Sequence, residues 1–231
     1  MGYIFAVEWV GVLYATPVTA PFFLGSPGHK AAVEGLVDYP CPADFVDVDT
    51  MHGCWKLFDH SGVMTTPTGV DGKFYKLLPY SAFPPDVRGV RFRALHAAYT
   101  VYADACADRE PPLSLMKARL LYGQFAVLVE MPFVAGRDAD PHDLADTVVV
   151  TDLAAAIVWL AAARLIHVDV RLPNIRVIDS PRCAVLVDYD DMEVLPVPAT
   201  TRAQVGEAYS DIPWWGAMPA LRDRVLGMLP F

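Results

Sequence analysis

The chain has 231 residues, of which 54% are hydrophobic and 19% charged, with a mean hydropathy of +0.31. That excludes a disordered chain and is ample for a large core. Lys and Arg number 18 against 27 Asp and Glu, a net charge of −9, which excludes a general nucleic-acid binder because phosphate contacts need the opposite sign. An acidic chain can still bind an anionic nucleotide if divalent metal ions sit between them.

Residues 1–43 are rich in Pro, Gly and aromatics and read as an N-terminal extension with no assigned role. Met1 to Gly25 is apolar, but Glu8 interrupts it, Pro17 and Pro21 break it, and no basic stretch precedes it. Neither a secretory signal nor stable membrane insertion is expected from it. Cys41, Cys54, Cys106 and Cys183 are widely spaced, as expected of reduced thiols in an intracellular, cytoplasmic chain. His52, Cys54 and His60 cluster loosely, but their spacing fits no standard zinc finger.

From Asp44 the texture becomes strand-like. Phe45 to Val48 and Cys54 to Phe58 alternate, Lys73 to Leu78 is short and strand-like, and Gly53 and Asp71-Gly72 separate the runs. This predicts a small antiparallel meander. Arg88 to Ala107 carries Phe92, Leu95, Tyr99 and Tyr102 at helical spacing, and Pro111-Pro112 ends it. Two strands are expected at Ala118–Tyr122 and Phe125–Met131. Asp140-Pro141-His142-Asp143 reads as a helix start, with Asp as N-cap, Pro at N1 and an acid at N3. Apolar helical sequence then runs to Ile166, with a break expected near Thr151-Asp152. Asp152 and Arg164 make it a buried helix rather than a lipid-facing one. Two short strands, Ile175–Ile178 and Ala184–Val187, follow. The order predicts an α+β fold.

Chemistry concentrates in His167-Val168-Asp169-Val170-Arg171-Leu172-Pro173-Asn174 and in Asp188, fourteen residues after Asn174. Asn174 and Asp188 offer hard oxygen ligands suited to Mg²⁺. Asp169 is a carboxylate that could orient a hydroxyl and accept its proton. Arg171 could neutralise charge on a transferring phosphoryl group.

These residues resemble the catalytic core of the protein kinase-like superfamily. The family pattern is His-x-Asp, a basic residue two positions on, an Asn five positions after the Asp, and later Asp-Phe-Gly. Here Asp188-Tyr189-Asp190 stands where Asp-Phe-Gly is expected. The resemblance spans Asp44 to Gly216 and implies a bilobal fold. Residues 44–134 would form a small antiparallel-sheet N-lobe with its hinge, and 135–231 a mainly helical C-lobe. That lobe would be shortened, since only 43 residues follow Asp188. Lys76 resembles the third-strand lysine that holds nucleotide phosphates, with Lys56 and Lys73 as rivals. In Met131-Pro132-Phe133-Val134, Met131 resembles the gatekeeper. Pro132 would offer its carbonyl and Val134 its N–H to adenine. Gly136 aligns with the glycine after the hinge. Asp211-Ile212-Pro213-Trp214-Trp215-Gly216 loosely resembles Asp-x-Trp-x-x-Gly, whose Asp supports the catalytic-loop backbone in the family. An N-cap Asp is the alternative at this place.

The pattern also breaks. Asp49 to Gly53 offers one glycine where a glycine-rich loop is expected, and residues 86–107 hold no glutamate to pair with Lys76. Asp190 replaces the glycine of Asp-Phe-Gly. Val168 replaces the arginine of His-Arg-Asp, so docking of a phosphorylated activation loop is not expected. Between Gly136 and Asp191 ten Asp oppose five Arg, an excess that favours Mg-ATP over bare ATP. The resemblance implies an ATP- and Mg²⁺-dependent phosphotransferase acting on a hydroxyl acceptor, with protein Ser/Thr as the family's default. A pseudokinase used as a nucleotide-binding or scaffold module is one alternative. A small-molecule kinase resembling aminoglycoside- or choline-type phosphotransferases is another.

Overall fold

The computed structural model describes residues 5–9, 13–17, 56–57, 63–66, 69–79, 85–122 and 126–231. The expected strand at Phe45–Val48, the glycine-poor loop Asp49–Gly53 and the His52–Cys54–His60 cluster lie outside them. The chain divides into two compact units, one of Met1–Arg91 and Arg119–Phe133, the other of Phe92–Ala118 and Val134–Phe231.

In the first unit, β1 (Phe5–Trp9) and β2 (Leu13–Pro17) pair antiparallel. A second, five-stranded sheet contains β3 (Lys56–Leu57), β4 (Met64–Thr65), β5 (Lys73–Pro79), β6 (Arg119–Tyr122) and β7 (Ala126–Pro132) in the order β3-β4-β5-β7-β6. All its pairings are antiparallel, as the alternating pattern predicts. Before β5 the chain reverses at Asp71-Gly72, with φ of 51° and 73°. Two central residues at positive φ make a two-residue hairpin whose twist matches its strands. Val70 and Lys73 exchange both backbone hydrogen bonds across it, at 2.7 and 2.9 Å.

Strand alternation sorts the sheet's side chains. Leu77, Leu121 and Leu128 cluster on one face, with Met64, Tyr75 and Ala126 packed against them. The register Phe74↔Met131, Lys76↔Val129 and Leu78↔Val127 puts those six residues on the other face. Pro132 ends β7 opposite Lys73. Phe133 N–H reaches the Gly72 carbonyl at 2.9 Å, so the Lys73–Pro132 pair is a non-hydrogen-bonded one and the missing proline N–H costs the ladder nothing.

Helix α1 (Pro85–Asp108) begins in the first unit and continues into the second. There Phe92, Leu95, Ala98, Tyr99 and Tyr102 are buried, at the spacing the sequence shows. The second unit is built on α2 (Thr147–Ala162). Leu153, Ile157 and Leu160 of α2 are fully buried, each worth about 1.5–3 kcal/mol. Two expectations are corrected here. Asp140 caps only a turn: its Oδ1 accepts from His142 N–H at 2.8 Å, and Asp143–Ala145 is one 3-10 turn. The helix starts at Thr147, capped by Asp146, whose Oδ1 accepts from Val148 N–H at 2.8 Å. Nor does α2 break at Thr151-Asp152. Thr151 Oγ1 donates back to the Thr147 carbonyl at 2.6 Å, and Asp152 Oδ2 accepts from Ala184 N–H at 2.9 Å. The acid inside an apolar helix fastens it to the neighbouring hairpin.

That hairpin is β10 (Ile175–Asp179) with β11 (Arg182–Leu186), joined at its edge by β8 (Arg137–Asp138). Gly136 lets β8 approach, since a Cβ there would lie 2.6 Å from the Val177 carbonyl oxygen. The apolar run after α2 turns into β9 (Leu165–His167) rather than staying helical, and β9 pairs with β12 (Met192–Val194). Three helices follow: α3 (Arg202–Tyr209), α4 (Pro213–Ala217) and α5 (Pro219–Gly227). Thr201 and Gln204 form a capping box at the start of α3.

The buried carboxylate of Asp143 ties the β8 end of this unit. It accepts from Arg137 Nη1 and Nη2 at 2.6 and 2.8 Å, Arg182 Nη2 at 2.6 Å and Asp140 N–H at 2.8 Å. Arg182 also reaches Asp146 and Asp179, and Arg176 reaches Asp138. Hydrogen bonds from Arg137 hold the Asp143 carboxyl well below the usual carboxylate range. The Asp140 N–H and Arg182 add to this against the opposing effect of desolvation.

Candidate active site

The loop after β9 brings three of the singled-out residues together. Leu172–Asn174 is a 3-10 turn with Pro173 inside it, closed by Asn174 N–H on the Arg171 carbonyl at 2.9 Å. The turn aims the buried Asn174 amide back at Asp169. Its Nδ2 donates to the Asp169 carbonyl and to Asp169 Oδ2, both at 2.9 Å. Arg171 Nε also lies 2.9 Å from Asp169 Oδ2. The Asn174 hydrogen bond and the Arg171 ion pair therefore converge on one carboxylate oxygen. Asp169 Oδ1 accepts no hydrogen bond among the described residues, and the side chain is 32% exposed. Such an oxygen is disposed to accept a proton from an incoming hydroxyl. The two Nη groups of Arg171 remain beyond the ion pair, on a side chain 56% exposed.

Asp188 is delivered by the far end of the hairpin. Val187, just before it, is held twice: its N–H donates to the Asn174 carbonyl at 2.9 Å, and its carbonyl lies 3.3 Å from His167 Nε2. Asp188 itself sits at φ 64°, ψ 71° and leads into the 3-10 turn Tyr189–Asp191. Asp is among the few side chains that tolerate this left-handed region, and such outliers concentrate at functional positions.

Tyr189, which stands where the resembled motif has Phe, is a structural anchor. Its hydroxyl accepts from Met116 N–H and donates to the Leu186 carbonyl, each at 2.9 Å. Its ring packs on Tyr102, with centroids 5.3 Å apart, and meets His167 edge-on at 6.2 Å. Tyr102 in turn donates to the Met116 carbonyl at 2.7 Å. Asp190, in the glycine's place, accepts from Tyr99 hydroxyl at 3.5 Å. Burial first, then the charges of Asp190 and Asp188, push the Tyr99 phenol well above its usual range, so it stays a donor.

His167 is fully buried. Burial pushes its imidazole below the usual histidine range, against the Val187 hydrogen bond and the charges of Asp188, Asp169 and Asp191. A neutral ring with the proton on Nε2 fits its one hydrogen-bond partner, the Val187 carbonyl, since buried Nδ1 has none. The His167 carbonyl accepts the Trp214 indole N–H at 3.1 Å. Asp211 has neither of its expected roles. It is exposed, its carboxylate accepts from Ser210 Oγ at 3.4 Å, and Ile212 holds the N-cap position of α4.

The first unit carries the other candidates. Lys76 and Met131 lie on the same face of the five-stranded sheet. Lys73 faces the opposite way and is engaged by Glu130 at 3.1 Å, while Arg119 Nε reaches Glu130 Oε1 at 2.8 Å. Burial would raise the Glu130 carboxyl, but the hydrogen bonds from Arg119 and Lys73 outweigh it and hold it below the ordinary value. Phe133 N–H is spent on Gly72. Val134, in the second unit, donates its N–H to no acceptor among the described residues.

A magnesium site is implied by the motif, and the donor chemistry fits it. Nδ2 of Asn174 is used on Asp169, which leaves the hard amide oxygen Oδ1 unspent. Asp188 offers a second oxygen donor, and the residue before it, Val187, is bonded through its N–H to the Asn174 backbone carbonyl. No group of three or more His, Cys, Asp or Glu side chains among the described residues could enclose a metal alone. Mg²⁺ is usually held by one or two carboxylates and completed by water and substrate phosphates.

No family model matches the sequence, and no curated protein matches it. Solved structures do. The chain is similar to WbdD co-crystallised with a kinase inhibitor, at 14% identity and a TM-score of 0.45, over 77% of this chain and 45% of that one. Monomeric WbdD gives 15% identity and a TM-score of 0.46, over 76% and 46%. The kinase PK-1 of Cydia pomonella granulovirus gives 14% and 0.43, over 80% and 73%. The chain thus spans less than half the length of the WbdD chains it matches. Among the described residues no helix is long and apolar enough to cross a membrane. With an antiparallel sheet in its first unit and a mainly helical second unit, in which the His167–Asn174 loop is set against the β10–β11 hairpin, the chain has an α+β fold.

Proposed function

We propose that this protein is an ATP- and Mg²⁺-dependent phosphotransferase that moves the γ-phosphate to a hydroxyl acceptor. The observation that carries this reading is the Asn174 amide. It fixes Asp169 through two bonds while keeping its own oxygen free for metal, and its carbonyl holds Val187 beside Asp188. In this reading Asp169 Oδ1 orients the acceptor hydroxyl and takes its proton. Arg171 Nη groups face negative charge that develops on the phosphoryl oxygens. Asn174 and Asp188 hold Mg²⁺. Lys76 holds nucleotide phosphates, Met131 lines the base, and the Pro132 carbonyl and Val134 N–H meet the adenine edge. Bound Mg²⁺ would supply charge neutralisation on the β- and γ-phosphates.

Protein Ser/Thr is the acceptor that the family resemblance brings. One observation favours a small hydroxyl compound instead. The backbone of the segment after Asp191 is tied at several points: β12 pairs with β9, Leu195 N–H binds the Arg164 carbonyl, Arg164 Nε binds the Leu195 carbonyl, and Ala199 N–H binds the Ala161 carbonyl before α3 begins. A backbone so tied has little freedom to close over a peptide, although the Val194 and Val197 side chains are exposed.

The test is transfer of labelled γ-phosphate from Mg-ATP to Ser/Thr peptides and to small polyols, by wild type and Asp169→Ala. Loss of a general base predicts a fall of about a hundredfold or more. Equal rates in the two proteins would remove Asp169 from its role. Mg-ATP binding without transfer to either acceptor class would favour a pseudokinase, consistent with a sequence that has no glutamate at 86–107 to pair with Lys76.

A further inference from the structure

We propose that Trp214 is a positioning residue for the candidate site, acting through the His167 carbonyl, and that Asp211 takes no part. The inference rests on the phosphotransferase reading for its purpose, though its geometry stands apart from it.

His167 is a joint between the two candidate carboxylates. Its ring reaches Val187, the residue before Asp188, at 3.3 Å, and its backbone leads through Val168 to Asp169. A shift of its peptide plane would move both. Three attachments fix that plane. The His167 position is paired to Met192 in the β9–β12 ladder, Val168 N–H binds the Asp191 carbonyl at 3.2 Å, and the His167 carbonyl takes the indole N–H at 3.1 Å. The last comes from a different element, α4, and both partners are buried.

Trp214 is itself held firmly. Its ring stands edge-on to Tyr209 at 5.2 Å and to Trp215 at 5.5 Å, while Tyr209 and Trp215 stack at 5.1 Å. The indole N–H is therefore delivered by a packed aromatic cluster, which costs little further ordering when the bond forms. A buried carbonyl that lost this donor would have no water to replace it, so the loop would gain freedom. Asp211 is exposed and bonded to Ser210, so its charge is not aimed at the loop.

The experiment compares amide hydrogen exchange in wild type, Trp214→Phe and Asp211→Asn. Phe keeps an aromatic ring in the cluster and removes only the donor and part of the bulk. Loss of one buried hydrogen bond predicts exchange about tenfold faster, or more, in residues 168–174. The amides of α2 and α3 should be unchanged in Trp214→Phe, and Asp211→Asn should match wild type throughout. Unchanged exchange in 168–174, an equal rise in α2 and α3, or the same rise in Asp211→Asn would overturn the proposal. Should Trp214→Phe fail to fold, the wild type still decides. A through-bond nuclear coupling between the Trp214 indole ¹⁵N and the His167 carbonyl ¹³C is expected, and its absence overturns the proposal. Neither readout requires turnover. Wild type that binds no Mg-ATP would sink the phosphotransferase reading while leaving this result interpretable.

Discussion

The Asn174 side-chain amide donates to both the backbone carbonyl and the carboxylate Oδ2 of Asp169, each at 2.9 Å. One short polar side chain thus fixes the backbone and the rotamer of the residue five positions before it. Asn174→Ala should do two separable things. Two acceptors lose their donor, so stability should fall by about 1–3 kcal/mol, read as a lower denaturant midpoint at unchanged slope. The magnesium-dependent part of ATP affinity should also fall, while metal-free affinity stays near wild type. Loss of both affinities equally would mean that Asn174 serves the fold and not the metal.

His167 gives the chain an acid-sensitive joint. Its folded pKa is depressed by burial, so it contributes stability above the unfolded value, about 6.5, and this is lost as pH falls through the folded value. Asp143 acts in the same direction at lower pH. Its contribution is present above the unfolded carboxylate value, about 3.9, and disappears as pH falls toward its depressed folded value. Melting temperature measured from pH 8 downward should therefore begin to decline once pH falls below about 6.5, the unfolded histidine value. His167→Gln should flatten that first decline, at a cost in overall stability. Asp143→Asn should leave it in place, lower the melting temperature by several degrees at neutral pH, and blunt the loss below about pH 4.

Much of this arrangement is legible in residue order. The meander strands, the hairpin at Asp71-Gly72 and the helical spacing of Phe92, Leu95, Tyr99 and Tyr102 are local patterns, and local patterns are what period and turn chemistry encode. The spacing from His167 to Asn174 is equally local, which is why a loop carrying Asp169, Arg171 and Asn174 could be anticipated, though not the contacts among them. What misled was a local signal satisfied locally. Asp140-Pro141 has the chemistry of a helix start, but its carboxylate is used up on a single turn, and Asp146 caps the helix instead.

What stayed hidden depends on partners far away in sequence. Tyr189 meets Met116 across 73 positions and Trp214 meets His167 across 47. Nothing in the neighbourhood of either residue records such a partner. For Tyr189 the one usable sign was a hydroxyl where the family carries Phe, since a buried phenol needs a partner. For Trp214 the sign is a Trp three residues after Asp211 where the resembled pattern has it two after, which points to neither partner.

Lys76 and Lys73 stand three residues apart in β5 and face opposite sides of the sheet. Lys73→Ala should cost at most about 1 kcal/mol, as a partly exposed partner of Glu130, and leave ATP affinity unchanged. Lys76→Ala should weaken ATP binding by about tenfold or more, the loss of a charge-assisted contact. Binding calorimetry on the two variants checks the assignment. A larger affinity loss for Lys73→Ala would reverse it.

The central claim is that this fold binds Mg-ATP for phosphoryl transfer, and its most direct test is thermal unfolding with ATP, with Mg²⁺ and with both. Ligand binding to the folded state raises the melting temperature by mass action. The account predicts a clear rise with millimolar Mg-ATP, a smaller rise with ATP alone, and loss of the difference between them in Asp188→Ala. No shift at millimolar Mg-ATP would contradict it.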